Sequence, residues 1–114
     1  MALLGTKTYR NYITGEWVDA ASGETFDSTS PANGEAIGTF PLSGAEDVKR
    51  AVAAAKTAFE EWRLVPAPKR GEILFRFGQL LIDEKEELAQ LMAREMGKVL
   101  VEARGDVQEA IDMS

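Results

Sequence analysis

Ser43-Gly44-Ala45-Glu46-Asp47-Val48-Lys49-Arg50-Ala51-Val52-Ala53-Ala54-Ala55-Lys56-Thr57-Ala58-Phe59-Glu60-Glu61-Trp62 is the stretch whose reading decides the fold class. Ala45, Val48, Val52, Ala55, Phe59 and Trp62 recur at steps of three and four. That interval returns to one side of a helix, so the spacing predicts about five turns carrying one apolar stripe. Lys49, Arg50, Lys56, Glu60 and Glu61 fall off the stripe. Ser43 and Glu46 read as a capping box: the serine oxygen accepts from the Glu46 backbone N–H, and the glutamate reaches back to the N–H of Ser43. Alanines fill the middle of the helix, so a neighbouring element can approach closely.

Downstream, the helical pattern continues in three further pieces. Val65-Pro66-Ala67-Pro68 ends the first helix and opens the second, because proline is tolerated in a first turn where its missing N–H is unpaired anyway. Ile73, Leu74, Phe77, Leu80 and Leu81 make a second stripe. The acidic run Asp83-Glu84-Lys85-Glu86-Glu87 interrupts it, and Asp83 with Glu86 is a second candidate capping pair, so a break is expected there. Leu88, Leu91, Met92 and Met96 form a third stripe stopped at Gly97. A fourth helix is expected from about Leu100, with Val107, Ala110 and Ile111 on its apolar side. The sequence stops at Ser114 within helical pattern, which reads as a cut through a helix.

Upstream, residues 9–41 have a different character, rich in glycine, threonine, serine and aromatics. Asn11-Tyr12-Ile13 and Glu16-Trp17-Val18 flank Thr14-Gly15 as a hairpin. Ser22-Gly23 marks another turn, Thr25 to Thr29 a strand, Pro31-Ala32-Asn33-Gly34 a turn, and Glu35 to Phe40 its partner strand. Such a ribbon is marginal alone and needs a body to lie on. The expected class is therefore α+β, with a β-ribbon over 9–41 and three or four helices over 43–114.

Composition removes whole classes of chemistry. The chain of 114 residues has no cysteine and no histidine. Thiol nucleophiles, disulfides, thiolate metal sites and imidazole bases are excluded from it. Thirteen basic against nineteen acidic side chains give a net charge of −6, which disfavours nucleic acid and anionic lipid surfaces as partners. No apolar run approaches the roughly 20 residues that cross a bilayer. Met1-Ala2-Leu3-Leu4-Gly5 is too short for a leader core, and a cytoplasmic location is the expectation.

Each candidate site has a plainer reading beside it. Asp83 to Glu87 could be imagined around a cation, but its carboxylates lack the spacing of a hard-cation loop, and a solvated helix junction is the simpler assignment; no metal site is expected. Gly97-Lys98 belongs to no phosphate-loop pattern and reads as a helix stop followed by a surface lysine. Trp17, Trp62, Phe59, Phe75 and Phe77 could make an aromatic binding face, yet their spacing suits core, as does that of Met92 and Met96. Lys7, Lys69 and Arg70 are scattered basic positions with no sign of covalent lysine chemistry.

Four stretches taken in order resemble the front of the aldehyde dehydrogenase superfamily. They are Tyr12-Ile13-Thr14-Gly15-Glu16-Trp17-Val18, Ser30-Pro31-Ala32-Asn33-Gly34-Glu35, Ala51 to Lys56 with Phe59 and Trp62, and Arg94-Glu95-Met96-Gly97-Lys98 followed by Glu102 and Val107. The proline usual after that Gly-Lys is Val99 here. Within the superfamily, Pro66 to Ile73, Glu95 to Glu102 and Gly105-Asp106-Val107-Gln108-Glu109 resemble the antiquitin-like branch, whose members oxidise semialdehydes of amino acids.

The resemblance implies oxidation of an aldehyde to a carboxylic acid with NAD or NADP, and a fragment of a Rossmann-like coenzyme domain. In such enzymes a cysteine attacks the carbonyl, hydride passes to the coenzyme, and a glutamate-activated water releases the acid while an asparagine helps hold the oxyanion. None of those residues, and none of the coenzyme contacts, can be transferred to a position in this chain. One substrate-facing role transfers: Glu109, toward the substrate's amino end, against the plainer reading of an exposed helix carboxylate. The chain alone is expected to be inactive and to bind no coenzyme tightly. Its expected partners are the remainder of a dehydrogenase polypeptide, or further copies of itself through uncovered helix faces. The alternative is a stand-alone interaction module that docks on a full-length dehydrogenase.

Overall fold

The computed structural model describes residues 7–114; the Met1 to Gly5 stretch lies outside the described residues. Strands β1 (Asn11–Ile13) and β2 (Glu16–Val18) pair antiparallel, with Tyr12 opposite Trp17. Thr14 and Gly15 both take positive φ, 57° and 78°, the backbone twist that lets a two-residue turn join strands without splaying them. Strands β3 (Thr25–Thr29) and β4 (Ala36–Pro41) form a second antiparallel pair with a register shift between Ser28 and Thr29. Thr8 bridges Thr39 in parallel: the Tyr9 N–H donates to the Thr39 carbonyl at 2.9 Å, and the Thr39 N–H to the Lys7 carbonyl at 3.0 Å. Helices α1 (Ala45–Trp62), α2 (Ala67–Asp83), α3 (Lys85–Met96) and α4 (Leu100–Met113) follow.

The described residues fall into two compact units. The strand-rich and helical stretches do not map onto them one to one, because α1 belongs with the strands and the Pro31 turn with the later helices. In the first unit (7–29 and 35–64), β1 lies on α1. The start of α1 differs from the capping box read in the sequence. Gly44 is the cap residue, and Asp47 rather than Glu46 closes the turn, accepting from the Gly44 N–H at 2.9 Å. Asp47 also accepts from the Ala21 N–H at 2.9 Å and is buried. Ser43 Oγ instead accepts from Asn11 Nδ2 at 2.8 Å. One carboxylate thus satisfies an orphan helix donor and fastens the loop after β2, which a glutamate one position earlier does not do.

The second unit (30–34 and 65–114) is organised by α4. Ala89 and Ala103 are wholly buried and, with Val107, form the centre of its core; Leu88, Met92, Ala93, Leu100 and Ile111 pack around them. Small side chains at the centre let α3 and α4 run close together. α2 meets α4 at buried Gly78, where a Cβ would lie 3.1 Å from that of Ser114. Gly97 ends α3 in the left-handed region, φ 69°, and donates its N–H to the Ala93 carbonyl. Pro31 sits against it, so closely that a Cβ on Gly97 would lie 2.9 Å from Pro31 Cγ.

Two further expectations are corrected. The break after α2 occurs, at Glu84, but Asp83 and Glu86 do not cap it: no side chain caps α3, Asp83 accepts from Gln79 Nε2, and Glu86 is drawn to α4. The aromatic residues placed in a core are not there. Trp17, Phe59, Trp62, Phe75 and Phe77 are all exposed, Phe75 by 81%, and Met96 is exposed while Met92 is half-buried. Helical spacing specifies which residues share a face, whereas burial needs a second surface to meet that face.

Candidate functional site

The richest chemistry of the described residues lies along the seam between α3 and α4. Glu86, in the first turn of α3, receives Arg104 in a two-pronged contact, Nε at 2.9 Å and Nη2 at 2.7 Å. The guanidinium, with help from Gln90, lowers the Glu86 carboxyl from 4.5 to about 2. Glu86 in turn raises the Arg104 pKa. Lys85 Nζ donates to Gln108 Oε1 at 2.6 Å. Lys98, read from the sequence as a surface lysine, instead pairs with Asp106. Lys85 and Glu86 of the charged run, and Lys98 after Gly97, thereby tie their segments to α4.

Glu109, the one substrate-facing candidate, stands exposed on α4. Its neighbour Gln108 is occupied by Lys85 and by Asp112, the latter receiving Gln108 Nε2 at 2.9 Å. The structure brings no second candidate residue to Glu109. The scattered basic positions also separate: Lys7 lies 4.8 Å over the Tyr9 ring, and Lys69 pairs with Glu72 at 3.1 Å. The Nε of Arg70 is buried without a hydrogen-bond partner.

Two shallow grooves illustrate what the surface offers. One, in the first unit, is lined by Asn11, Ile13, Ser43, Asp47, Val48 and Ala51. The other, in the second, is lined by Phe75, Gln79, Ile82, Ile111 and Ser114. Neither unites a nucleophile with a base that could take its proton. In the first groove Asp47 is committed to two backbone donors, which hold its carboxyl below the usual carboxylate range.

Asp47 and the Glu86–Arg104 clamp are the polar features that sequence reasoning missed. Asp47 sits one residue beyond Glu46 in the same acidic first turn, and it is set apart by its bonds to the Gly44 N–H and to the Ala21 N–H, the latter 26 positions away. Glu86 and Arg104 are 18 apart, too far for any helical spacing rule to pair them.

The aldehyde dehydrogenase family profile matches residues 17–114. Malonate-semialdehyde dehydrogenase 2 of Geobacillus thermodenitrificans is 50% identical over 107 residues, covering 94% of this chain and 22% of that protein. Among solved structures, a NAD-dependent aldehyde dehydrogenase from Sinorhizobium meliloti superposes with a TM-score of 0.87 at 38% identity, over 94% of this chain and 22% of the other. Succinate-semialdehyde dehydrogenase from Burkholderia pseudomallei gives 0.86 at 41%, over 90% and 21%. The chain thus spans about a fifth of the length of the relatives it matches, and it belongs to the aldehyde dehydrogenase family, whose profile it matches over residues 17–114.

Proposed function

We propose that this chain forms the front part of an oxidoreductase that converts a small semialdehyde to its carboxylic acid with NAD(P)⁺, and that alone it has no activity. The observation that supports this is the match over residues 17–114 to proteins about five times as long. The lack of cysteine agrees with it, since the family's nucleophile must then come from elsewhere. Mixing the chain with NAD⁺ or NADP⁺ and a panel of small aldehydes should give no reduced coenzyme, and turnover would sink the claim of inactivity. Grafting these 114 residues in place of the matching segment of a related malonate-semialdehyde dehydrogenase should give an active enzyme. An inactive but folded graft would count against the reading as a whole.

The names of the relatives bear on substrate class. Malonate and succinate semialdehydes carry a carboxylate at the far end, whereas the antiquitin-like branch is associated with substrates carrying an amino group. A free carboxylate at Glu109 attracts an ammonium and repels an anion. In the graft, Glu109→Gln should raise KM for an amino semialdehyde and leave KM for malonate semialdehyde unchanged or lower. An unchanged KM for both would remove Glu109 from the substrate pocket.

A docking module for a full-length dehydrogenase is the second reading, favoured by the exposed apolar side chains on α1 and α2. In that case the chain should bind an intact relative, with no need for the relative to lose its own front segment.

A further inference from the structure

The chain has two asparagines, and the fold places them in opposite circumstances. Asn11 lies in β1, is half-buried and is followed by Tyr12; its Nδ2 donates to Ser43 Oγ at 2.8 Å. Asn33 stands exposed in the turn after Ser30 and is followed by Gly34. Gly34 has φ 73°, and nothing lies within 4 Å of where its Cβ would be. The turn needs a glycine for that φ. A backbone nitrogen with no side chain beside it is also the one best able to reach the side-chain carbonyl carbon of the asparagine before it. The residue the turn demands is therefore the residue that makes Asn33 reactive.

The same turn restrains the reaction. The Gly34 N–H donates to the Ser30 carbonyl at 2.8 Å, so the proton that the nitrogen must lose is held. Ser30 is buried, and its Oγ accepts from the Ala32 N–H at 3.4 Å. Pro31, between them, rests against Gly97 at the end of α3. We propose that Asn33-Gly34 is a self-modification site, and that the seating of Pro31 on Gly97 gates it. In the opened turn the Gly34 nitrogen gives its proton to solvent base and attacks Cγ of Asn33. The N–Cγ bond closes a five-membered succinimide, and the side-chain nitrogen leaves as ammonia. Water then opens the ring. Its attack at Cγ leaves an aspartate in an ordinary backbone. Its attack at the main-chain carbonyl carbon leaves an isoaspartate, with one methylene added to the main chain. Either product adds a negative charge to a chain already at −6. The isoaspartate also lengthens the path from Ser30 to Gly34, so the hydrogen bond that closes the turn is lost.

The test incubates the chain in mildly alkaline buffer, folded and in urea, and follows both asparagines by peptide mass spectrometry. Isoaspartate is counted with a methyltransferase specific for it. In the folded chain Asn33 should convert to aspartate and isoaspartate while Asn11 stays intact. Conversion should run at least ~10-fold more slowly folded than in urea, because it proceeds only through local opening of the turn. Gly97→Ala, which forces Pro31 off its seat, should speed conversion in the folded chain by roughly 3-fold or more. Pro31→Ala loosens the same contact and serves where Gly97→Ala fails to fold. Asn33→Gln, whose ring would need six members, should abolish the product and leave the urea midpoint unchanged. Asn33 intact in the folded chain after full conversion in urea would overturn the site. Asn11 reacting as fast as Asn33 would overturn it as well. Equal rates folded and in urea, or an unchanged rate in both turn variants, would overturn the gate.

Discussion

Two residues hold positions that almost no substitution can share. Gly97 ends α3 at φ 69° with Pro31 against it. Gly97→Ala imposes the left-handed strain of an L-residue and also a contact of 2.9 Å with Pro31. It should cost about 1–2 kcal/mol, read as a lower urea midpoint with unchanged slope. An unshifted midpoint would mean that the Pro31 turn does not rest on α3. Asp47 carries the start of α1 and the loop at Ala21 together. Asp47→Ala should lower the melting temperature by roughly 5 °C, while Glu46→Ala, the alternative cap by sequence, should barely move it. The reverse order would restore the Ser43–Glu46 box.

At the scale of elements, the α3–α4 pair couples an alanine core to a charged seam. Ala89 and Ala103 are 0% exposed, so the helices approach to a distance that only small side chains allow. Ala103→Leu should overpack this contact and cost about 1–3 kcal/mol in chemical denaturation. On the seam, Arg104 lowers the Glu86 carboxyl from 4.5 to about 2 in the folded chain. A depressed carboxylate contributes stability that is fully present above its unfolded value near 4.5 and lost as pH falls through about 2. The melting temperature of the wild type should therefore fall more steeply between pH 4.5 and 2 than that of Glu86→Gln. Parallel curves for the two proteins would show that the clamp carries no net stability in solution. Raised salt should narrow the difference, because both partners are exposed to solvent.

At the scale of the whole molecule, apolar surface is left over. Val48, Val52, Phe59 and Trp62 on α1, and Ile73, Leu74 and Phe77 on α2, are all exposed. Within each unit the helices form and their stripes line up, yet much of each stripe faces outward. Apolar area of this kind associates in water. Light scattering should report a mass that rises above 12.5 kDa with concentration. A monodisperse monomer at high concentration would show that these faces do not attract one another.

The sequence by itself determined the order and kind of the elements. Thr14-Gly15 marked the first turn, proline spacing the start of α2, Gly97 the end of α3, and the three-and-four periodicity all four helices, because each signal acts through a residue's own backbone or its nearest turns. It also excluded thiol and imidazole chemistry by simple absence. Only the tertiary structure decided which carboxylate caps α1, where Lys98 and Glu86 direct their charge, and that Phe75 and Trp62 stand outside the core. Each of those outcomes depends on a group many positions away, or on the lack of one, and no local spacing carries that information.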